Sequence, residues 1–458
     1  MRFELAFPIQ RNELASLLGI SAPAGADCRI GAISTDSRLL ERGDLFVALR
    51  GKRTDGHAYL AEASASGAAA ILAETAAPGC FTVPDTGSAL LRLAAYLLSR
   101  NRIPVVAITG SVGKTGTKDA VAAALSPRYR VHKTADNQNN ALGVAYSLLS
   151  RPPEAEALVL ELGTNHPGEI APLSMAIAPD IGIVTVIGKA HIGAFGSQDA
   201  IFKEKSDIVK GMHGGQLILN LDDPYLSAWD PPCPASYIGT RRAADFFAKE
   251  ICYSLGGTRY MLKSNNAEHP ISLRATGRPA LYASLFAMAT AHRMNVPPTD
   301  AARALASMDS APGRQTVQEI AGITLIDDSY NASPEAVAEA LSLLKLRKRT
   351  GACHTILGDM RELGEGSVEL HEEIGALAAK ASTRLYVFGE FAEAYARGAR
   401  NAGMAAEAIL LFDDAGAVST ALLPRLFRGD TVLIKASHSM GAAKIAEDVR
   451  KSLAEPLQ

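Results

Sequence analysis

The stretch Val105-Val106-Ala107-Ile108-Thr109-Gly110-Ser111-Val112-Gly113-Lys114-Thr115-Gly116-Thr117-Lys118-Asp119 decides the fold. Its first five residues read as a buried parallel strand, the glycines as a tight turn, and Lys118 to Leu125 as a helix of good formers. Strand, loop and helix in that order suit a phosphate. Backbone N–H groups from Gly110 to Gly116 and the helix N-terminus cradle it, a lysine reaches the terminal phosphate, and a hydroxyl ligates magnesium. Lys114 and Thr115 fit the last two roles. Gly110 precedes the Gly113-Lys114 pair by three residues, a shorter gap than the common loop, which points to a distinct nucleotide-binding family. An ordinary glycine-rich turn is the plain alternative, and the Gly-Lys-Thr triplet argues against it.

Outward from this loop, 458 residues suggest two or three domains, and 48% apolar content supplies their cores. A net charge of -2 argues against a sequence-independent nucleic-acid binder. Cys28, Cys80, Cys233, Cys252 and Cys353 are scattered without a close pair, so neither a zinc site nor a disulfide framework is signalled. No signal peptide or membrane-spanning stretch is read, so a soluble cytoplasmic protein is expected.

Before the loop, residues 1–100 alternate short apolar runs with Ala-rich helices, which predicts a small α/β unit. Its polar cluster Ser34-Thr35-Asp36-Ser37-Arg38 reads first as a capped turn, and alternatively as a holder of ribose and pyrophosphate. After the loop, Asp136-Asn137-Gln138-Asn139-Asn140 lies between a strand and a helix, either a polar turn or a ligand contact. Ala157 to Gly163 is an apolar strand ending in Glu161, a carboxylate that needs a pair or a metal and is taken as a second magnesium ligand. His191 follows the next strand, on the nucleotide side or as an ordinary core histidine. Phe202 to Ile208 reads as a helix with a solvated charged stripe. Repeated strand and helix predict a doubly wound, mostly parallel sheet, with a weaker pattern from Asp230 to Pro270 and a linker at Ser310 to Gly313. The remaining residues 313–458 repeat the alternation, and Arg314, Asp327 and Lys435 fall at linker or strand ends where a closing domain could use them.

Taken together, these motifs resemble the Mur ligase family, ATP-dependent enzymes that build the peptide of the bacterial cell-wall precursor. The resemblance is carried by Ser34-Thr35-Asp36-Ser37-Arg38, Thr109 to Thr115, Asn139-Asn140, Glu161-Leu162-Gly163, Gly168-Glu169-Ile170, Ala190-His191-Ile192, Asp327-Asp328-Ser329-Tyr330-Asn331-Ala332 and Gly358-Asp359-Met360-Arg361-Glu362-Leu363-Gly364. The last two motifs are similar to those of the dipeptide-adding member. The resemblance implies three domains: 1–100 for the UDP part, 101–312 as a central ATPase, and 313–458 as a Rossmann-like domain for D-alanyl-D-alanine. It implies UDP-N-acetylmuramoyl-tripeptide and ATP as the other substrates, magnesium as cofactor, a monomer, and neither nucleic acid nor membrane insertion.

By position, the resemblance makes Lys114, Lys205 and His191 catalytic, and Thr115, Glu161, His191 and a carbamylated Lys205 the metal ligands. It gives Gly110 to Gly116, Arg314 and Asp327 to ATP, Ser34 to Arg38 to the UDP part, and Asn139, Asn140, Tyr330 and Asn331 to substrate. Two motifs depart from the family pattern. Ala283 and Pro279 stand where an adenine-contacting asparagine and a histidine are expected, and Lys435-Ala436-Ser437-His438 replaces Lys-Gly-Ser-Arg.

Overall fold

Each alternation of apolar run and helix becomes a strand with its covering helix, and the strands gather into three sheets. The computed structural model describes the chain except for residues 24–25, 52–53, 136, 255, 266, 310, 347–350 and 455–458. Asp136 of the polar run and Ser310 of the expected linker therefore lie outside the described residues.

The first sheet has strands β1 (Arg2–Gln10), β2 (Arg29–Ser34), β3 (Leu45–Val47), β4 (Ala70–Ala73) and β5 (Cys80–Thr82) in sequence order, with β1 antiparallel and the rest parallel. The second contains β6 (Val105–Thr109), β7 (Val131–Lys133), β8 (Ala157–Glu161), β9 (Ile181–Val184), β10 (Gln216–Asn220), β11 (Ala235–Gly239), β12 (Phe246–Ser254), β13 (Gly257–Ser264) and β14 (Ala267–Leu273). Its order is 14-13-12-11-10-9-6-8-7, parallel from β12 to β7 and antiparallel through β12, β13 and β14. The weak pattern after Asp230 is thus the parallel strand β11 followed by an antiparallel edge of β12, β13 and β14. A register shift between Lys249 and Cys252 breaks its alternation, and its polar residues face solvent. The third sheet has β15 (Thr316–Ile320), β16 (Ile323–Asp327), β17 (Cys353–Gly358), β18 (Arg384–Phe388), β19 (Ile409–Phe412) and β20 (Thr431–Lys435) in the order 15-16-20-17-18-19.

A period of two sorts the strand residues between the faces of each sheet. Val105 and Ala107 join a core continuous with the first sheet, whereas Val106 and Ile108 pack with Val121 and Phe286 on the other face. In the third sheet Leu357 and Leu433 face one core and Ile356 and Ile434 the other. Strands buried on both faces and running parallel bring their carboxyl ends to one edge, where ligands bind in such sheets. The edges of the second and third sheets face each other: Lys189 N–H donates to Glu335 Oε1 at 2.7 Å, and Gly193 N–H to the Glu362 carbonyl at 3.1 Å. Among the described residues no helix is long and apolar enough to cross a membrane.

Candidate active site

The phosphate loop leaves β6 at Gly110, whose φ is +145° and whose missing side chain leaves room for Thr185. A Cβ there would lie 1.9 Å from Thr185 Oγ1, which donates to the Val112 carbonyl at 2.6 Å and braces the loop. Gly113, at φ +84°, is the residue before the helix Lys114–Leu125. Ser111 ties the loop to the segment that follows β9, its N–H donating to the Val186 carbonyl at 2.8 Å and its Oγ accepting from Gly188 N–H at 2.9 Å. Lys114 curls over its own loop, with Nζ 2.8 Å from the Gly110 carbonyl and 3.4 Å from that of Ser111. Burial pulls its ammonium below the usual lysine range, Glu161 opposes this, and Arg314 adds to it. A bound polyanion would replace those carbonyls and hold the ammonium charged. Because an alanine at position 110 collides with Thr185 and needs a rare backbone conformation, Gly110→Ala is expected to weaken ADP binding about tenfold or more, measurable by calorimetry.

Glu161 ends β8 beside the loop and is only 2% exposed. A buried carboxylate left unpaired costs about 1–3 kcal/mol or more, and here each oxygen has a donor. Thr115 Oγ1 donates to Oε2 at 2.8 Å and Asn139 Nδ2 to Oε1 at 2.9 Å. Asn139 fits because Gly163, whose N–H donates to the Asn139 carbonyl, carries no Cβ to displace it. Asn139 therefore orients Glu161. Asn140 caps the helix Ala141–Leu149, with Oδ1 accepting from Gly143 N–H at 2.9 Å. These bonds use Asn139 Nδ2 and Asn140 Oδ1 and leave Asn139 Oδ1 and Asn140 Nδ2 unspent.

Lys205 also departs from its residue-level reading. The stretch Phe202 to Ile208 reads as a helix with a solvated charged stripe, but in the helix Gln198–Ser206 the residues Glu204 and Lys205 are 5% and 2% exposed. Glu204 accepts from the N–H groups of Gly168 at 2.6 Å, Glu169 at 2.9 Å and Ile170 at 2.8 Å, so it caps the helix Ile170–Ile177 from another element. Such a cap leaves no local pattern, and Glu204 was missed for that reason. Burial, and then the nearby charge of Lys114, hold the Lys205 amine well below the usual lysine range. His191 sits at φ +63° with its Nδ1 against the Glu362 carboxylate of the third unit. Burial lowers its pKa while Glu362 raises it.

From the third unit, the Arg314 guanidinium stacks 3.9 Å from the centre of the Tyr330 ring and lies near enough to the phosphate loop to disfavour the charge on Lys114. Asn331 offers its carbonyl to Lys435 Nζ at 2.8 Å, and Lys435 pairs with Asp328 at 2.7 Å. Asp327 has partners within the third unit: Oδ1 accepts from the Ser329 hydroxyl at 2.6 Å and Oδ2 from Arg450 at 2.5 Å. In this arrangement it braces the motif against the C-terminal helix Ala443–Ala454. Ser437 accepts from Arg361 N–H at 2.9 Å, locking the Lys435 to His438 turn onto the Gly358 to Gly364 loop.

In the first unit the Ser34 to Arg38 cluster forms the capped turn of the residue-level reading. Asp36 caps Ser37–Leu39 and pairs with Arg38, which holds its carboxyl down at about 2. Ser34 is buried, while Thr35 faces the second unit, 3.4 Å from Tyr146. Ala283 lies in the core on the helix Arg278–Arg293, and its neighbour Tyr282 donates to Asp222 at 2.8 Å.

Among the described residues no group of three or more His, Cys, Asp or Glu is placed to hold an ion, and the expected set of Thr115, Glu161, His191 and Lys205 holds only two residues of those types. The Thr115 hydroxyl and Glu161 carboxylate are hard oxygens that fit magnesium beside a phosphate. Unmodified, Lys205 offers an amine, which does not suit that ion.

Family comparisons agree with this geometry. Three family models match, described as the Mur ligase family catalytic domain over residues 29–136, the middle domain over 108–291, and the glutamate ligase domain over 313–438. The chain is 32% identical over 433 residues to the UDP-N-acetylmuramoyl-tripeptide–D-alanyl-D-alanine ligase of Bacillus subtilis, covering 92% of this chain and 94% of that one. With the Escherichia coli protein of that name it shares 36% over 376 residues, 78% and 80% of the two chains. Its fold superimposes on a crystal structure of MurF from Acinetobacter baumannii with a TM-score of 0.86 at 27% identity, covering 97% and 99%. The MurF ligase of Thermotoga maritima in complex with ADP gives 0.82 at 31%, covering 93% and 98%. The chain belongs to the Mur ligase family, on the branch of the UDP-N-acetylmuramoyl-tripeptide–D-alanyl-D-alanine ligases.

Proposed function

We propose that this chain joins D-alanyl-D-alanine to UDP-N-acetylmuramoyl-tripeptide at the expense of ATP, in the synthesis of peptidoglycan precursor. The observation that carries it is the phosphate loop, with Lys114 and the Thr115–Glu161 pair, set in an edge-to-edge cleft against the third unit. Residues 1–100 are assigned to the UDP part, 101–312 to ATP and 313–458 to the dipeptide. A cytoplasmic monomer belongs to the same proposal.

A carboxylate resists amine attack because an oxide or hydroxide ion is a poor leaving group. In the first step a terminal carboxylate oxygen of the tripeptide bonds to the γ-phosphorus of ATP while the bond to the β–γ bridging oxygen breaks, and ADP leaves. The backbone of Gly110 to Gly116 and the Lys114 ammonium hold the phosphates in line, and Arg314 adds charge from the third unit. Thr115 and Glu161 would hold magnesium, which supplies neutralisation of phosphate charge. His191 and a carbamylated Lys205 are proposed for the second metal. In the second step the dipeptide amine attacks the acyl carbon, the tetrahedral intermediate collapses, phosphate departs with the C–O electron pair, and the amine proton passes to solvent. Tyr330 and Asn331 sit on the unit that delivers the dipeptide, and closing the cleft excludes water from the acyl phosphate.

The test is phosphate release by the purified chain with ATP, magnesium, UDP-N-acetylmuramoyl-tripeptide and D-alanyl-D-alanine, omitting each in turn. Release that needs both the tripeptide and the dipeptide supports the proposal. Release with a different amino acid points to another acceptor, and none with any acceptor points to a precursor-binding homologue.

A further inference from the structure

We propose that Glu335, which no motif singles out, is a positioning residue for ligation that ties the phosphate loop to the dipeptide-bearing unit through the Gly188–Lys189 turn. It lies in the first turn of the helix Pro334–Leu346, and its Oε1 accepts the Lys189 N–H at 2.7 Å. The preceding residue must be small for this carboxylate to seat: a Cβ on Gly188 would lie 2.8 Å from Glu335 Cδ and 2.9 Å from Oε1. Gly188 is bonded in turn to the phosphate loop, its N–H donating to Ser111 Oγ at 2.9 Å and its carbonyl accepting from the same hydroxyl at 3.2 Å. A short chain of contacts therefore runs from Ser111 through Gly188 and Lys189 to Glu335 and its helix.

The contact is built to release. Among the described residues the buried Glu335 Oε2 has no hydrogen-bond partner, so one good bond is set against one uncompensated acceptor. Glu362 grips the other end of the same turn through His191 and Gly193, but of the two glutamates Glu335 is the one beside the residue that Ser111 holds. A phosphate loop that shifts on filling or emptying moves the seat of Glu335, and the spacing between phosphate and dipeptide shifts with it. This inference rests on the function proposed above, in which the third unit carries the amine.

The test compares Glu335→Ala, Glu335→Gln and Gly188→Ala in the full chain, by steady-state kinetics and by small-angle X-ray scattering with ADP and magnesium. Glu335→Ala and Gly188→Ala are expected to lower kcat about tenfold with the KM for ATP within about twofold of the parent, because misplacement harms alignment more than nucleotide binding. Both should broaden the scattering profile. Glu335→Gln should keep about half of kcat or more, since its amide oxygen still accepts the Lys189 N–H. An unchanged kcat in Glu335→Ala, or equal losses in Gln and Ala, would overturn the proposal. If the parent chain itself fails to ligate, the proposed function falls, while the scattering of parent and Glu335→Ala still decides the contact.

Discussion

Replacing Lys114 by alanine is expected to reduce phosphate release by about a thousandfold or more, because a positioned cation at a transferring phosphoryl group is among the largest single contributions to such catalysis. Among the described residues the Nζ bonds only the Gly110 and Ser111 carbonyls of its own loop and no group of the core. Alanine therefore removes a desolvated ammonium and leaves Val105 to Thr109 and the helix Lys114–Leu125 packed as before. Circular dichroism and the thermal midpoint of Lys114→Ala should match the parent, so lost activity would be a loss of chemistry. Ligation at the parent rate would place the phosphate site elsewhere in the molecule.

The second large effect is expected at Lys205. Burial and the Lys114 charge both disfavour the charged form of the Lys205 amine, and the lone pair of its neutral form can attack carbon dioxide. The nitrogen bonds to carbon, a proton is released, and a cationic side chain becomes an anionic carbamate with two hard oxygens. That product fits a magnesium-bearing site where the free amine does not. Lys205→Ala is expected to lower kcat about a hundredfold or more, with partial recovery on adding formate or acetate to refill the lost carboxylate. With carbon-13 bicarbonate, the parent should show a carbamate carbon resonance that the variant lacks. A parent with no such resonance and full activity in carbon-dioxide-depleted buffer would sink the modification. Full activity in Lys205→Ala would remove Lys205 from the chemistry altogether.

The residues that the sequence identified share one property: their role follows from neighbours close in the chain. Gly110 to Thr115 lie between a strand and a helix, and that local order fixes both the loop and the roles open to Lys114 and Thr115. The alternation of apolar runs and helices likewise determined three α/β units with mostly parallel sheets. Glu161 was legible for a related reason, as a carboxylate closing an apolar strand is anomalous enough to need an explanation.

What only the tertiary structure decided concerns partners far apart in sequence. Asn139 and Asp327 read as ligand contacts in a linear motif, and only the fold shows that they also bond Glu161 and Arg450, 22 and 123 residues away. Lys205 reads as one charge in a polar helix until packing buries it beside Lys114 and Glu204. Glu335 carries no motif at all, because its meaning comes from a glycine 147 residues earlier that leaves room for its carboxylate. Short-range order along the chain sets backbone geometry and therefore the elements and the phosphate loop. Burial and long-range pairing set the charge state and availability of each side chain, and those exist only once the sheets have met.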